Sequence, residues 1–286
     1  MSAHNSVDLL VRSEEAPLNV FSYLSQLWNH WPLIIVVGIY LVRRTYQRTL
    51  LGPVWLLGQG VLPMLGMMAV FQHVSKFQTG DLPYPLFLIS GMGIWTTVDL
   101  GIKRGFRTLN YLRRIKKVIH VPGIAMTFAG LSLPIVYMSF YAILLLGAVA
   151  FIWVTDHRFL LSLDLKLVFV PVSVVLALML VVGISAVTSV IFLIARDIRH
   201  IGSLLHLWFF LTPIAYPLDV LPGSWRVVWE YANPLVGIVE MYRYGLFGIS
   251  GAGYEVFLAA AASTISIFMM GVWFMMRSDW ILDEIL

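Results

Sequence analysis

The chain has 286 residues, 59% of them hydrophobic and 12% charged, with a mean hydropathy of +0.86 and a net charge of +4. Soluble domains carry about a quarter charged residues, so the composition argues against a soluble enzyme, a disordered chain or a nucleic-acid binder. With no cysteine, disulfides, thiolate metal sites and cysteine nucleophiles are excluded. An all-α polytopic membrane protein remains.

A crossing helix needs about 20 mostly apolar residues, and the gaps between charges show where these lie. From Glu15 to Arg43 the first half is dotted with Asn19, Ser22, Ser25, Gln26, Asn29 and His30. Only Trp31 to Val42 is a clean apolar run, too short to cross. This predicts a cytoplasmic segment over 1–30 and an interfacial helix over 31–48. Six gaps follow and predict six spans over 49–277, with a cytoplasmic tail over 278–286. Arg48 to Lys76 encloses 27 uncharged residues, Asp81 to Asp99 encloses 17, and Lys117 to Asp156 encloses 38. Lys166 to Arg196 encloses 29, Arg199 to Asp219 encloses 19, and Glu255 to Arg277 encloses 21. The third gap exceeds one span, so its helix is expected to begin near Pro122 and to kink at Pro134. Asn233 to Ile249 is apolar but interrupted by Glu240 and Arg243. It predicts a pair of short re-entrant helices in the outer leaflet rather than a crossing.

Six spans place both termini on one side. With the termini cytoplasmic, 14 of the 19 Lys and Arg fall inside, leaving Lys76, Arg158, Lys166, Arg226 and Arg243 outside. Basic loops stay cytoplasmic during insertion, which sets this orientation in a plasma or inner membrane. The acidic, polar start does not resemble a cleavable signal peptide.

The spans carry few ionisable groups, unlike those of ion-coupled transporters. Asp99 is expected at a cytoplasmic helix end beside Lys103, an interfacial charge rather than a gate. His73 and His206 each stand alone among apolar neighbours, which favours local hydrogen bonding over catalysis or metal binding. Metalloprotease and nucleophile-elbow motifs are absent, as is a paired-carboxylate site. None of the five lysines follows a glycine, so there is no phosphate-cradling P-loop. Any ATP and magnesium chemistry would belong to another polypeptide; no cofactor is expected in this chain.

Lys103 to Lys117 carries seven basic residues, and Leu109, Leu112, Ile115 and Ile119 share one helical face. This is a cytoplasmic amphipathic helix. Its Arg113, Arg114, Lys116 and Lys117 suit anionic lipid headgroups or equally a docked cytoplasmic partner. The loop Arg196, Asp197, Ile198, Arg199 is short enough to pass motion into both attached helices, or is simply a charged hairpin. Between Leu207 and Tyr244 stand many aromatics, among them Trp208, Phe209, Tyr216, Trp225 and Trp229. An interfacial belt explains them; a sugar path lined by rings is the sharper alternative.

Four stretches resemble a known family. They are Arg44-Thr45-Tyr46-Gln47-Arg48 running into Leu51-Gly52-Pro53-Val54-Trp55; Arg196-Asp197-Ile198; Thr212-Pro213-Ile214-Ala215-Tyr216 followed by Leu221-Pro222; and Asn233-Pro234-Leu235 followed by Arg243. In this order they resemble the membrane permeases of ABC transporters that export polysaccharides and polyol-phosphate polymers, nearest the O-antigen branch. The resemblance implies a homodimer with a channel between the copies, two copies of a separate nucleotide-binding ATPase beneath it, and a lipid-linked polysaccharide as cargo. It implies an ATPase-docking surface formed by the interfacial helix, the basic helix and the Arg196–Arg199 loop, and an exit shaped by the short outer helices. Arg44, Arg48 and Arg107 are candidates for drawing in the carrier diphosphate by charge. Capsule or teichoic-acid export, and a membrane-embedded glycosyl or acyl transferase, are the alternative readings.

Overall fold

The computed structural model describes residues 19–47, 49–70, 80–118, 121–195 and 201–285, and its regular elements there are all helical. Helix α1 (Val20–Asn29) starts at Asn19, whose side chain accepts the Ser22 N–H at 2.8 Å and so satisfies an orphan donor. Helix α2 (Trp31–Tyr46) follows with Pro32 in its first turn. Its 16 residues reach about 24 Å, short of a hydrocarbon core of about 30 Å. Ile34, Val37 and Gly38 are buried, whereas Trp31, Ile35, Val36, Ile39 and Tyr40 stay exposed.

The remaining helices are α3 (Trp55–Val70), α4 (Tyr84–Val118), α5 (Gly123–Ala129), α6 (Ser132–Asp156), α7 (Phe169–Ile194), α8 (Ile201–Phe210), α9 (Gly223–Ala232), α10 (Pro234–Phe247) and α11 (Tyr254–Ile285). Four segments are long and apolar enough to cross a membrane: Tyr84–Leu109, Gly123–Asp156, Leu165–Ile194 and Tyr254–Asp279. The chain is therefore a multi-pass helical membrane protein. They coincide with the second, third, fourth and sixth expected spans.

Three expectations are corrected. The fifth gap does not hold one long helix: α8 has 10 residues, and Leu211–Pro217 is irregular. Pro213 and Pro217 remove helical donors, and Pro213 disfavours helical geometry at Thr212. The basic segment after the second span is not a separate helix, because α4 continues unbroken for 35 residues. Nor does Pro134 kink the third helix; the break falls at Gly130–Leu131, and Pro134 sits in the first turn of α6, where a missing N–H costs nothing. In the first expected span the described residues hold α3, with Pro63 inside it; the rest of that stretch lies outside the described residues.

Helix α4 forms the centre, packed between α6 and α7, with α11 against the far side of α7. Small residues let these backbones approach. A Cβ on Gly101 would strike Val181, and one on Gly271 would strike the Gly183 backbone. Without a hydrophobic drive between helices in lipid, such close packing is a main source of association. The starts of α4, α7 and α11 gather with α9 and α10 at one end, and α1, α2 and α5 gather at the other.

Candidate functional sites

The end of the molecule that holds α10 is organised by two buried polar residues. Of the 14 residues of α10, all but Tyr244 are buried. Arg243 is 2% exposed. Its Nη1 donates to Glu240 Oε1 and to Pro213 O, both at 2.8 Å. Its Nη2 donates to Ile214 O at 2.8 Å and to Phe87 O at 3.2 Å, and the guanidinium lies 3.5 Å from the Phe87 ring centroid. Glu240 Oε2 accepts the Gly251 N–H at 2.7 Å and the Ser250 hydroxyl at 3.2 Å. The i,i+3 spacing puts both charges on one face of α10. The irregular Thr212–Tyr216 stretch supplies carbonyls that no helix consumes, and these must find donors when buried. Tyr84 takes the next one, donating to Ala215 O at 2.8 Å.

Asn233 completes this polar knot. Its Oδ1 accepts Trp208 Nε1 at 2.9 Å and caps α10 by accepting the Leu235 N–H at 3.1 Å. Its Nδ2 donates to Thr212 Oγ1 at 2.9 Å and to Leu211 O at 3.3 Å. The Thr212–Tyr216 and Asn233–Leu235 stretches, distant in sequence, are thus two halves of one bonded unit. On the neighbouring surface helix α9, Arg226 meets Glu230 at 2.9 Å and Asp219 at 2.6 Å. The hydrogen bond to Glu230 holds its guanidinium above its ordinary pKa.

The candidate aromatics divide. Trp208 and Phe209 point inward and meet Trp95 edge-on, with centroids at 6.4 and 5.2 Å. Tyr216 is half-buried and donates to Phe210 O at 2.7 Å. Trp225 is exposed on α9 and Trp229 half-buried. Beside Trp95 lies a cavity of about 320 Å³ between α3, α4, α6 and α8, lined by Met67, Trp95, Asp99, Tyr137, His206 and Phe209 among others. Asp99 pairs with Lys103 at 2.7 Å, as its spacing suggested.

At the opposite end a second cavity, about 270 Å³, opens between α2, α4 and the α5–α6 junction. Arg44, Thr45, Arg104, Thr108 and Ser132 line it among the described residues. Arg104 Nη1 donates to Thr45 Oγ1 at 3.1 Å, and Thr45 donates to Leu41 O at 3.0 Å. Burial pushes the nearby Tyr46 phenol well above its ordinary pKa, so it stays a neutral hydroxyl.

Of the sequence-derived candidates, Arg44 lines this cleft. Arg107 is exposed, with its guanidinium 5.1 Å from the Phe106 ring, and does not line it. Arg48, Arg196, Asp197 and Arg199, and the side chains of Arg113, Arg114, Lys116 and Lys117, lie outside the described residues. His73 does also, while His206 borders the aromatic cavity. Arg104, Trp95 and the Glu240–Arg243 pair were not singled out as sites. The i,i+3 charge pair inside an apolar run was a readable signal for the last; nothing local separates Arg104 from its basic neighbours.

No family model matches the chain. It is 25% identical over 222 residues to the O-antigen export system permease protein RfbA of Myxococcus xanthus, spanning 76% of this chain and 81% of that protein. The resemblance to exporter permeases read from the four stretches is thereby borne out.

Proposed function

We propose, from this relationship to O-antigen export permeases, that the chain is the channel-forming subunit of an ATP-driven exporter. It carries a lipid-linked, O-antigen-like polysaccharide from the cytoplasm across the plasma or inner membrane. The observation that carries the reading is the similarity to a permease over most of both chains. The architecture supports it. A multi-pass subunit with no P-loop in its sequence needs an outside source of energy.

In this reading two copies face each other across a channel, and α3 and α8 are its wall. Both are short, apolar and exposed on one side, with Leu62, Leu65, Leu204, Leu207 and Phe210 uncovered. Such a surface suits a second subunit as well as lipid. The aromatic cavity behind them offers Trp95 and Phe209 for stacking on sugar C–H faces. Helices α9 and α10 are the outer re-entrant pair, and the exposed apolar face of α2 lies in the inner interface. Two ATPase subunits dock beneath α2, the basic end of α4 and the Arg196–Arg199 loop, with both chain termini on that side. ATP and magnesium are held there.

The test is affinity purification of the tagged chain from its native membranes. A nucleotide-binding subunit is expected at one copy per permease copy, and charge reversal at Arg113, Arg114, Lys116 and Lys117 together should release it. Recovery of the chain without any ATPase would contradict the proposal.

A further inference from the structure

We infer that Asp279 is a positioning residue for energy coupling: it joins the N-terminal helix α1 to the last span through the start of α5, so that a displacement of α1 reaches the membrane-spanning helices. The geometry of the joint stands on the structure alone; that an ATPase moves α1 rests on the exporter reading. Helix α5 has seven residues, and six of them are buried. A helix this short does not hold its shape alone, so its neighbours set its position. Its N-cap, Pro122, offers no side-chain hydrogen bond, which leaves the first backbone N–H groups to find acceptors elsewhere. Two other helices supply them. Asp279 of α11 accepts the Gly123 N–H on both oxygens, at 3.0 and 3.3 Å. The Tyr23 hydroxyl of α1 accepts the Ile124 N–H at 3.3 Å and donates to Asp279 Oδ2. One carboxylate thus gathers three helices whose bonded residues lie 101 and 156 positions apart along the chain. A carboxylate suits the place, since negative charge is favoured at a helix N-terminus and an ionised acceptor makes the stronger hydrogen bond.

The joint sits where force can be received and passed on. Asp279 is the last residue of the candidate span Tyr254–Asp279. Tyr23 is 2% exposed, yet α1 itself lies on the surface, with Phe21 and Trp28 largely uncovered. Beyond the joint, α5 packs on α2, α4, α7 and α11. A surface helix is therefore tied, side chain to backbone, to the wedge on which four other helices rest. Around Arg243 several side chains share the bonding at one end of the molecule. Here a single carboxylate carries the connection, so one substitution can cut it without removing apolar packing.

The experiment uses proteoliposomes holding the full-length chain with the ATPase subunit that co-purifies with it, and reads labelled glycan moved per ATP hydrolysed. D279N should leave ATP hydrolysis within about twofold of the unaltered complex and lower the glycan moved per ATP by about fivefold or more. Y23F should lower it by about two- to threefold. Y23F/D279N should be no worse than D279N, because both cut the same joint. D279E keeps the carboxylate and should keep most of the coupling. A clamp with no part in coupling predicts a different pattern, with assembly, hydrolysis and transport falling in proportion. That pattern, or an unchanged ratio in the folded variants, overturns the inference. Hydrogen exchange of the isolated chain in detergent needs no ATPase. There D279N should raise exchange in α1, α5 and the end of α11 together, while Y23F raises it chiefly in α1. Exchange in α5 and α11 that D279N leaves unchanged also overturns the inference. If D279N does not fold, Y23F takes its place, with α1 as the segment read. An unaltered complex that moves no glycan contradicts the exporter reading instead, and the exchange result then still decides the joint.

Discussion

The polar knot at α10 and the cleft beside α2 both contain arginines and hydroxyls, yet they are held together very differently. In the knot every amide and carbonyl contact of Asn233 is made internally, and the Arg243 charge is neutralised by Glu240. Buried polar networks of this kind, once satisfied, fix one arrangement of the backbone. In the cleft Arg104 donates to Thr45 at the edge of a cavity. The knot is a dense network that ties α4, α10 and the Leu211–Pro217 stretch together, whereas the cleft is held by few bonds.

This contrast can be broken by substitution. The largest effect is expected at Arg243. Arg243→Met leaves Glu240 buried and unpaired and should cost about 3–5 kcal/mol. The double variant E240Q/R243M should cost less than the sum of the singles, because the two charges act as a unit. Unfolding of the purified protein by heat or denaturant measures both. Next comes Asn233→Ala, which removes a helix cap and three further bonds, for about 1–3 kcal/mol. The cleft should respond far less. Arg104→Gln gives up one bond on a half-exposed side chain and should change stability by under about 1 kcal/mol. The smallest effect is Ser132→Ala, expected to be neutral or slightly stabilising, since it removes an unpartnered hydroxyl. A destabilisation at Arg104 as large as that at Arg243 would erase the distinction.

At the end that holds α1, α2 and α5 a third cluster gives an intermediate case. Asp279 on α11 accepts the Tyr23 hydroxyl and, at 3.0 Å, the Gly123 N–H. It thereby joins α1, α5 and α11. Tyr23→Phe should cost about 0.5–1.5 kcal/mol and loosen α1 selectively, which hydrogen exchange over Val20–Asn29 reads directly.

Charge spacing made the long helices legible. Long runs without Lys, Arg, Asp or Glu favour helix, and α7, nearly all of α6 and the apolar stretches of α4 and α11 lie in such runs. The same reasoning misjudged Leu211–Pro217, because freedom from charge reports apolarity and not helicity. The prolines that break α8 expose the carbonyls that Arg243 and Tyr84 then occupy. Arg243 and Glu240 were legible as an interruption of an apolar run but not as a buried pair, since their partners come from α4 and from a loop some 30 residues away. Arg104 is one of seven basic residues in its segment; only the fold shows that it faces α2. The continuity of α4 was hidden because the change from apolar to basic composition looks like an element boundary, while the backbone pays it no regard.

The central claim is that this polypeptide supplies a path through lipid and draws its energy from a partner. The most direct test is reconstitution of the chain in proteoliposomes with a labelled lipid-linked polysaccharide, with and without the ATP-hydrolysing subunit recovered from native membranes. Movement of the label to the opposite leaflet only when that subunit and ATP are both present is the predicted result. Uphill movement, or chemical alteration of the polysaccharide, by the chain alone would contradict it.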